Sequence, residues 1–470
     1  MNGILSYGVY VPHWRLDRKA IAEALGVPAG RGTRAVASYD EDSTSMGVEA
    51  ARVALRGAAG VTPAALYFAT AAPPYLDKSN ANTLHAALNL DSGAGAFDML
   101  GSVRSGAGAL RAALDAASPT LAVLADIRTG LPAGADERDG GDAAAAFLCG
   151  PAGGRPLLAE AVAHASASAE FLERWRLPGE NTSRQWEERF GEHALVPLAE
   201  QAIGEALKRA GVTIHQIGRV VVTGPHGRAA RRAAAAAGAK PEAIADDLTG
   251  TLGHSGAAHA GLLLADALDR AAADQLVLVV SVADGADATV WRATGALAAG
   301  RPAASVATLA AGGGRVSYNT FLTWRGFLDR EPPRRPDPQR PAAPPSLRAE
   351  EWKFGFMASR CTECGLRQLP PQRVCLKCKA LDKTKREPMA DVPAIIATFT
   401  VDRLAYSLSP PVVAAVIDFD GGGRFQCELT DVDPAAVKIG DRVQMTFRRL
   451  ITAEGVHNYF WKARPARTGA

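Results

Sequence analysis

Apolar positions along this chain fall into short runs that alternate with helical patterns. Runs at residues 4–11, 66–70, 96–100, 121–125 and 143–149 have the length and density of buried strands, and Pro12 and Pro73-Pro74 close two of them. Between the runs, apolar residues recur every three or four positions. That spacing predicts helices at 43–56, where Val48, Ala51 and Leu55 share a face, at 80–88 and at 106–116. Asp17 can cap a further helix that runs to about residue 25. The alternation then resumes, with helices at 195–210, 228–237 and 255–272 and strands at 219–223, 275–282 and 288–292. Residues 170–189 are polar and amphipathic and read as an insertion or cap. The alternation predicts an α/β sandwich. A faint echo suggests duplication. An apolar run at 121–126, a Gly/Asp loop and a second run at 142–147 recur as 276–280, an acidic-Gly turn and 284–290.

The pattern changes near residue 330. Seven prolines between 331 and 345 argue against helix or interior strand and predict an extended linker. A short helix with Trp352, Phe354 and Phe356 is expected at 349–359. Five short strands follow at 395–401, 412–418, 425–429, 442–450 and 458–462, which suggests a small barrel of the oligonucleotide/oligosaccharide-binding (OB) type.

Composition narrows the reading. A chain of 470 residues exceeds one hydrophobic core. Its 47% hydrophobic and 21% charged content fits a globular protein, and a net charge of +3 argues for neither nucleic acid nor a membrane surface. No window holds about 18 uninterrupted apolar residues, so no membrane span is expected. No basic segment followed by an apolar core opens the chain, so a cytoplasmic location is expected.

Two motifs carry chemistry. Cys361-x-x-Cys364 and Cys375-x-x-Cys378, ten residues apart, match four tetrahedral zinc ligands on two tight knuckles. With every position a thiolate, no place is left for water, so the expected zinc is structural. The remaining cysteines, Cys149 and Cys427, sit in apolar strands and read as core. The second motif is the turn Gly101-Ser102-Val103-Arg104-Ser105-Gly106, where a strand breaks into a small-residue helix whose N-terminus favours negative charge.

The first 300-odd residues resemble hydroxymethylglutaryl-CoA synthases of the thiolase superfamily. The resemblance is carried by the run 4–12, by Glu41-Asp42 with 48–52, by 106–110, by Gly253-His254-Ser255-Gly256 and by Asp284-Gly285-Ala286-Asp287. From about 350 on, the chain resembles the zinc-ribbon plus OB-fold family that accompanies acyl-CoA thiolases, through Cys361 to Cys378, 369–371, Ile439-Gly440, Val443 and 459–462. The resemblance implies a duplicated, five-layered αβαβα thiolase-like fold followed by a zinc ribbon and an OB barrel. The expected boundaries are 1–165 and 166–329 for the two halves, 330–348 for the linker, 349–390 for the ribbon and 391–470 for the barrel.

In such synthases a cysteine at the turn carries the acetyl group, a glutamate handles protons and a histidine aids the acceptor. Carried over, the cysteine position falls on Val103, or on Ser102 with a one-residue shift. The glutamate falls near Ala71, the histidine on Thr223 and a loop asparagine on His254. Valine cannot form a thioester. The candidates for replacement chemistry are His254, His226, Tyr75 and Ser102, with Asp77, Ser105 and His259 nearby. Arg104, Arg228 and Arg231 are candidates for the CoA phosphates. The expected function is C–C bond formation or cleavage on an acyl-CoA or carrier-bound substrate without a cysteine nucleophile, aldolase-like in outline. The alternative is a non-catalytic acyl-CoA-binding subunit that docks a thiolase or hydratase. A homodimer is implied by the resemblance. Nucleic acid is disfavoured, because the barrel aromatics alternate like core residues and Asp418, Asp420, Glu428, Asp431 and Asp433 oppose phosphate.

Overall fold

The computed structural model describes residues 2–466 except 29, 335 and 337. The parts of the expected boundaries that fall on Met1, Arg335, Asp337 and residues 467–470 lie outside the described residues. The chain forms two compact units. The first comprises Met1–Ala37, Asp42–Asn82 and Asp91–Tyr318; the second comprises Ser38–Glu41, Thr83–Leu90 and Asn319–Ala470.

In the first unit nine strands join in one sheet. They are β1 (Asn2–Tyr10), β2 (Ala65–Thr70), β3 (Gly95–Leu100), β4 (Thr120–Asp126), β5 (Ala143–Pro151), β6 (Ala159–Ala167), β7 (Arg219–Thr223), β8 (Leu276–Val282) and β9 (Ala286–Ala293). Their order is β7-β8-β9-β6-β1-β5-β4-β2-β3. The duplication is explicit in the pairing. In the first half β2 runs parallel to β4, β4 antiparallel to β5, and β5 antiparallel to β1. In the second half β7 runs parallel to β8, β8 antiparallel to β9, and β9 antiparallel to β6. The counterpart of the edge strand β3 has shrunk to a single parallel bridge, Val220 to Ile244. Strand β6 gives no apolar run, because its sequence is alanine broken by Glu160, His164 and Ser166, residues with little strand preference.

Helices complete the layers. Helix α1 (Ser43–Gly57) packs on β1 and β5, and α3 (Glu188–Ala210) packs on β6 and β9 with α4 (Gly227–Ala236) beside it. Between the half-sheets lie α2 (Ser105–Asp115) and α5 (His259–Arg270), in contact with each other. Close approach is possible because α2 presents Gly106, Ala109 and Ala113. A Cβ on Gly106 would stand 2.0 Å from the Ala257 carbonyl oxygen.

In the second unit the proline-rich stretch is not wholly extended. Ala343–Arg348 is a helix with Pro344 and Pro345 in its first turn, where proline's missing N–H has no partner to lose. The helix expected at 349–359 is only Glu350–Lys353; Met357–Cys361 is already a strand, paired with Arg367–Gln368 and Thr384–Pro388. The strands Ala394–Asp402, Val412–Phe419, Arg424–Leu429, Arg442–Ala453 and Val456–Pro465 close into a barrel.

This unit also buries a charge cluster. Arg448 is fully buried and meets Asp40, Glu41 and Asp431 at 3.2, 2.9 and 2.7 Å. Lys462 meets Asp40 and Glu428 at 3.1 and 2.8 Å. Burial by itself raises the Asp40 carboxyl pKa, but Lys462 and Arg448 outweigh it and hold the group at about 2. Removing one partner of such a cluster strands the others in a low-dielectric interior. We expect Arg448→Met to cost about 3–5 kcal/mol in denaturant unfolding, whereas Arg424→Met, at the exposed Asp418 pair, leaves the midpoint near wild type. Equal midpoints for the two variants would refute the assignment.

Candidate functional site

The turn after β3 breaks sharply into a helix. Gly101 takes φ 113°, which only glycine adopts without strain, and α2 starts at Ser105. Val103 is buried and lines a cavity of about 60 Å³ with Ser102 and Ala71. The three positions to which the resemblance carries the family's chemistry, Val103, Ala71 and Thr223, are all buried.

Three arginines fill this region. Arg128 follows β4. Arg174 and Arg176 come from the polar insertion, whose strands Arg174–Trp175 and Arg184–Gln185 pair as a ribbon. Arg176 donates to the Ala71 carbonyl, and Arg174 pairs with Asp136. Arg128 lies 3.8 Å from Asp126 and 3.7 Å from Asp136. Burial opposes ionisation of Asp136, but Arg128 and Arg174 outweigh it and hold its carboxyl below the usual range. Asp126 is fully buried, and there burial prevails over Arg128 and raises the carboxyl.

An adjoining cavity of about 230 Å³ brings together His226, His254 and Glu173. His226 caps α4; its Nδ1 accepts from the Ala229 N–H at 3.0 Å. Glu173 and His226 converge over Gly191 of α3, where an added Cβ would stand 2.7 Å from Glu173 Oε1 and 2.9 Å from His226 Cδ2. Burial pushes the Glu173 carboxyl up, with His226 pulling the other way.

His254 has a defined tautomer. Its Nδ1 accepts from the Gly256 N–H at 3.2 Å, so the proton of the neutral ring sits on Nε2. Burial, then His259 and Arg128, hold its pKa well below 6.5. It is thus a neutral hydrogen-bond donor rather than a base. His259 is satisfied on both nitrogens. Nδ1 accepts from the Ser255 N–H at 3.2 Å and Nε2 lies 3.0 Å from the Asp247 carbonyl.

Several expected site residues are spent elsewhere. Arg104 is not free for a phosphate. It bonds Asp287 at 2.8 and 3.3 Å and the carbonyls of Asp284 and Ala167, tying the turn to the second half. Arg228 meets the buried Glu192 at 2.6 Å, and Arg232 shares that carboxylate. Arg231 is exposed on α4. Tyr75 lies in a loop pinned by Asn80 and lines neither cavity; Asp77 is exposed. Glu173 and the three arginines were not singled out in the sequence. The signal available was the polar insertion between two apolar elements.

In the second unit Cys361, Cys364, Cys375 and Cys378 present their sulfurs within 4.8 Å of one another. The Sγ pairs Cys361–Cys378 and Cys364–Cys375 lie at 3.6 and 3.4 Å. A tetrahedral ion with metal–sulfur bonds of about 2.3 Å needs sulfurs roughly 3.8 Å apart, so this donor set fits zinc.

Residues 388–448 match the family described as "ChsH2, C-terminal OB-fold domain". The hydroxymethylglutaryl-CoA synthase of Thermococcus gammatolerans is 28% identical over 300 residues, covering 60% of this chain and 83% of the relative. That of Aeropyrum pernix is 29% identical over 305 residues, covering 62% and 83%. The chain is hydroxymethylglutaryl-CoA synthase-like, with an OB-fold domain fused behind it. MvaS solved with 3-hydroxy-3-methylglutaryl coenzyme A superimposes with TM-score 0.57 at 18% identity, over 82% of this chain and 99% of that one, a likeness of fold. Among the described residues no helix is long and apolar enough to cross a membrane.

The lowered His254 and His259 pKa values have a consequence for stability. Below about pH 6.5 the unfolded chain binds protons that the folded histidines refuse, so folding weakens as pH falls. By imidazole NMR, His254 is expected to remain the neutral Nε2–H tautomer from pH 8 to 5.5. A midpoint inside that range contradicts its role as a neutral donor.

Proposed function

We propose that this synthase-like protein acts on acyl thioesters, forming or cleaving a C–C bond by proton transfer without an acyl-enzyme. The observation that carries the reading is the grouping of Glu173, His226 and His254 around one cavity beside a turn whose residue is Val103. In the cleavage direction, the Glu173–His226 pair takes the proton of a β-hydroxyl group. The Cα–Cβ bond breaks and its electrons reach the thioester carbonyl. The enolate oxygen accepts from His254 Nε2–H, a neutral donor suited to developing negative charge. The same pair then returns the proton to Cα. Ser102 is left without a base, and Tyr75 has no part.

CoA, or a carrier-bound thioester, is the expected substrate form; the related MvaS was solved with such a CoA ester. The four cysteines hold one zinc ion, which cross-links the two knuckles of the ribbon. Reduced thiols suit a cytoplasmic location. Homodimerisation through β3 is supported by its place at the sheet edge and by Phe97, exposed there.

A second reading, an acyl-CoA-binding subunit that docks a thiolase or hydratase, is favoured by the Arg176 bond to Ala71 across the emptied catalytic positions. One experiment separates the two. Intact-mass spectrometry after acetyl-CoA is expected to show no acetyl adduct; an adduct overturns the proposal. With 3-hydroxy-3-methylglutaryl-CoA as probe, Glu173→Gln is expected to lower any cleavage by roughly 10²–10⁴-fold. Thioester binding without cleavage in the wild type favours the second reading. Metal analysis is expected to find one zinc per chain, lost in Cys364→Ser.

A further inference from the structure

The duplication supplies an internal control. In the second half, strand alternation turns Ala165, Ala286, Ala288 and Val290 toward α3, where they join its apolar cluster. His164, Ser166, Asp287 and Thr289 therefore face the opposite way, toward the central helices α2 and α5. Thr289 pairs with Val279 of β8 and with His164 of β6. Its counterpart in the first half, Ala145, pairs with Leu124 of β4 and Val9 of β1. One step nearer the turn, the second half pairs Asp287 with Ser166. There the first half has Ala143 and, just past the end of β1, Val11. All four first-half residues are buried in the apolar core. The same four places in the second half are polar. Polar side chains on the inner face of a layered sheet are the informative departure, because apolar ones are the rule there.

These four residues line a cavity of about 430 Å³, a volume typical of small-molecule sites. The opposite wall is α2, which contributes Ala107 and Gly108; a Cβ on Gly108 would meet no atom within 4 Å. The cavity grades along its length. Near the turn stand Ser105 and the Arg104–Asp287 pair, and at the far end the buried Leu114, Leu264 and Trp291. Its charges are answered, Arg104 by Asp287 at 2.8 Å and Arg111 by Asp115 at 2.6 Å. Its neutral polar groups are not. Among the described residues, the side chains of His164, Ser166 and Thr289 make no hydrogen bond or ion pair. We infer that this cavity is a second binding site, for a neutral amphipathic molecule of medium chain length. A hydroxyl or carbonyl head bonds His164 and Thr289, and an apolar tail fills the end at Leu114, Leu264 and Trp291. A carboxylate head is disfavoured, because Asp287 faces it and both arginines already have partners. The site shares no lining residue with the Val103 cavity or the histidine cavity, so it stands independently of the thioester reading.

The test is calorimetric binding of 1-octanol to the full chain, with octanoate as the same tail carrying a carboxylate head. Wild type is expected to bind 1-octanol saturably, with Kd below about 1 mM, and octanoate severalfold more weakly. The double variant His164→Val/Thr289→Ala gives the second half the residues that the first half packs at these places. It is expected to keep the wild-type unfolding midpoint and to lose about 3- to 10-fold in octanol affinity, the worth of one or two hydrogen bonds. Thr289→Phe, which fills the middle of the cavity, is expected to abolish binding. No saturable octanol binding in wild type overturns the inference. Undiminished affinity in the double variant places the alcohol elsewhere and also overturns it. Octanoate that binds more tightly than 1-octanol overturns the neutral head group.

Discussion

The contact on which the first unit depends is a single buried carboxylate. Asp126, at the end of β4 in the first half, accepts from the Ala257 N–H at 2.9 Å, at the turn that leads into α5 in the second half. Its other oxygen accepts from its neighbour Ile127 at 3.1 Å. The approach is so close that Gly256 can carry no side chain: a Cβ there would stand 1.9 Å from Asp126 Oδ2. Gly106 meets the Ala257 carbonyl under the same limit. These contacts fix the N-terminal turn of α2 against the loop that holds His254, and so set the distance between the Val103 cavity and the histidine cavity. The glycines here are a consequence of duplication. Two copies of one α/β unit, laid face to face, leave room for backbone but not for Cβ atoms where their central helices begin.

Much of this frame was legible in the chain. The buried strands announce themselves as apolar runs because both faces are covered. The echo of 121–147 in 276–290 corresponds to β4–β5 and β8–β9, which hold the same places in their halves. The five barrel strands and the four-cysteine spacing were equally plain. What stayed hidden depends on partners distant in sequence. Arg104 looked available for phosphate because its carboxylate, Asp287, is 183 residues away. Arg174 and Arg176 carry no mark in the sequence beyond their place in a polar insertion. The pairing of that ribbon brings them to the Val103 cavity. His254 and His226 could be named but not given roles, since tautomer and proton sharing depend on the Gly256 and Ala229 N–H groups and on Glu173.

The second unit uses its aromatics and charges internally. Trp352 packs against Phe356, Phe425 and Phe460, and Phe447 stacks on Tyr459 with Trp461 at its edge. An open barrel face would offer such rings to bases, but here a short helix of the same chain supplies the covering ring. The acidic residues are likewise engaged. Asp418 takes Arg424, Asp420 takes Arg442, Glu428 takes Lys462 and Asp431 takes Arg448. Within this unit these rings and acids are engaged in packing and ion pairs, some of them with residues outside the barrel strands.

The proposed chemistry of the first unit follows from what stands in place of a nucleophile. A thioester anchor holds an acyl group by one covalent bond and needs a base and a donor placed around it. Val103 offers neither bond nor proton, and it makes the end of the pocket apolar. The guanidinium groups of Arg128 and Arg174 beside it are answered by Asp126 and Asp136. On the proposed reading, proton transfer falls to groups that burial has already shifted: a carboxyl raised at Glu173 and an imidazole held neutral at His254. On that reading the reaction rests on proton transfer alone, at the carbons of a bound thioester.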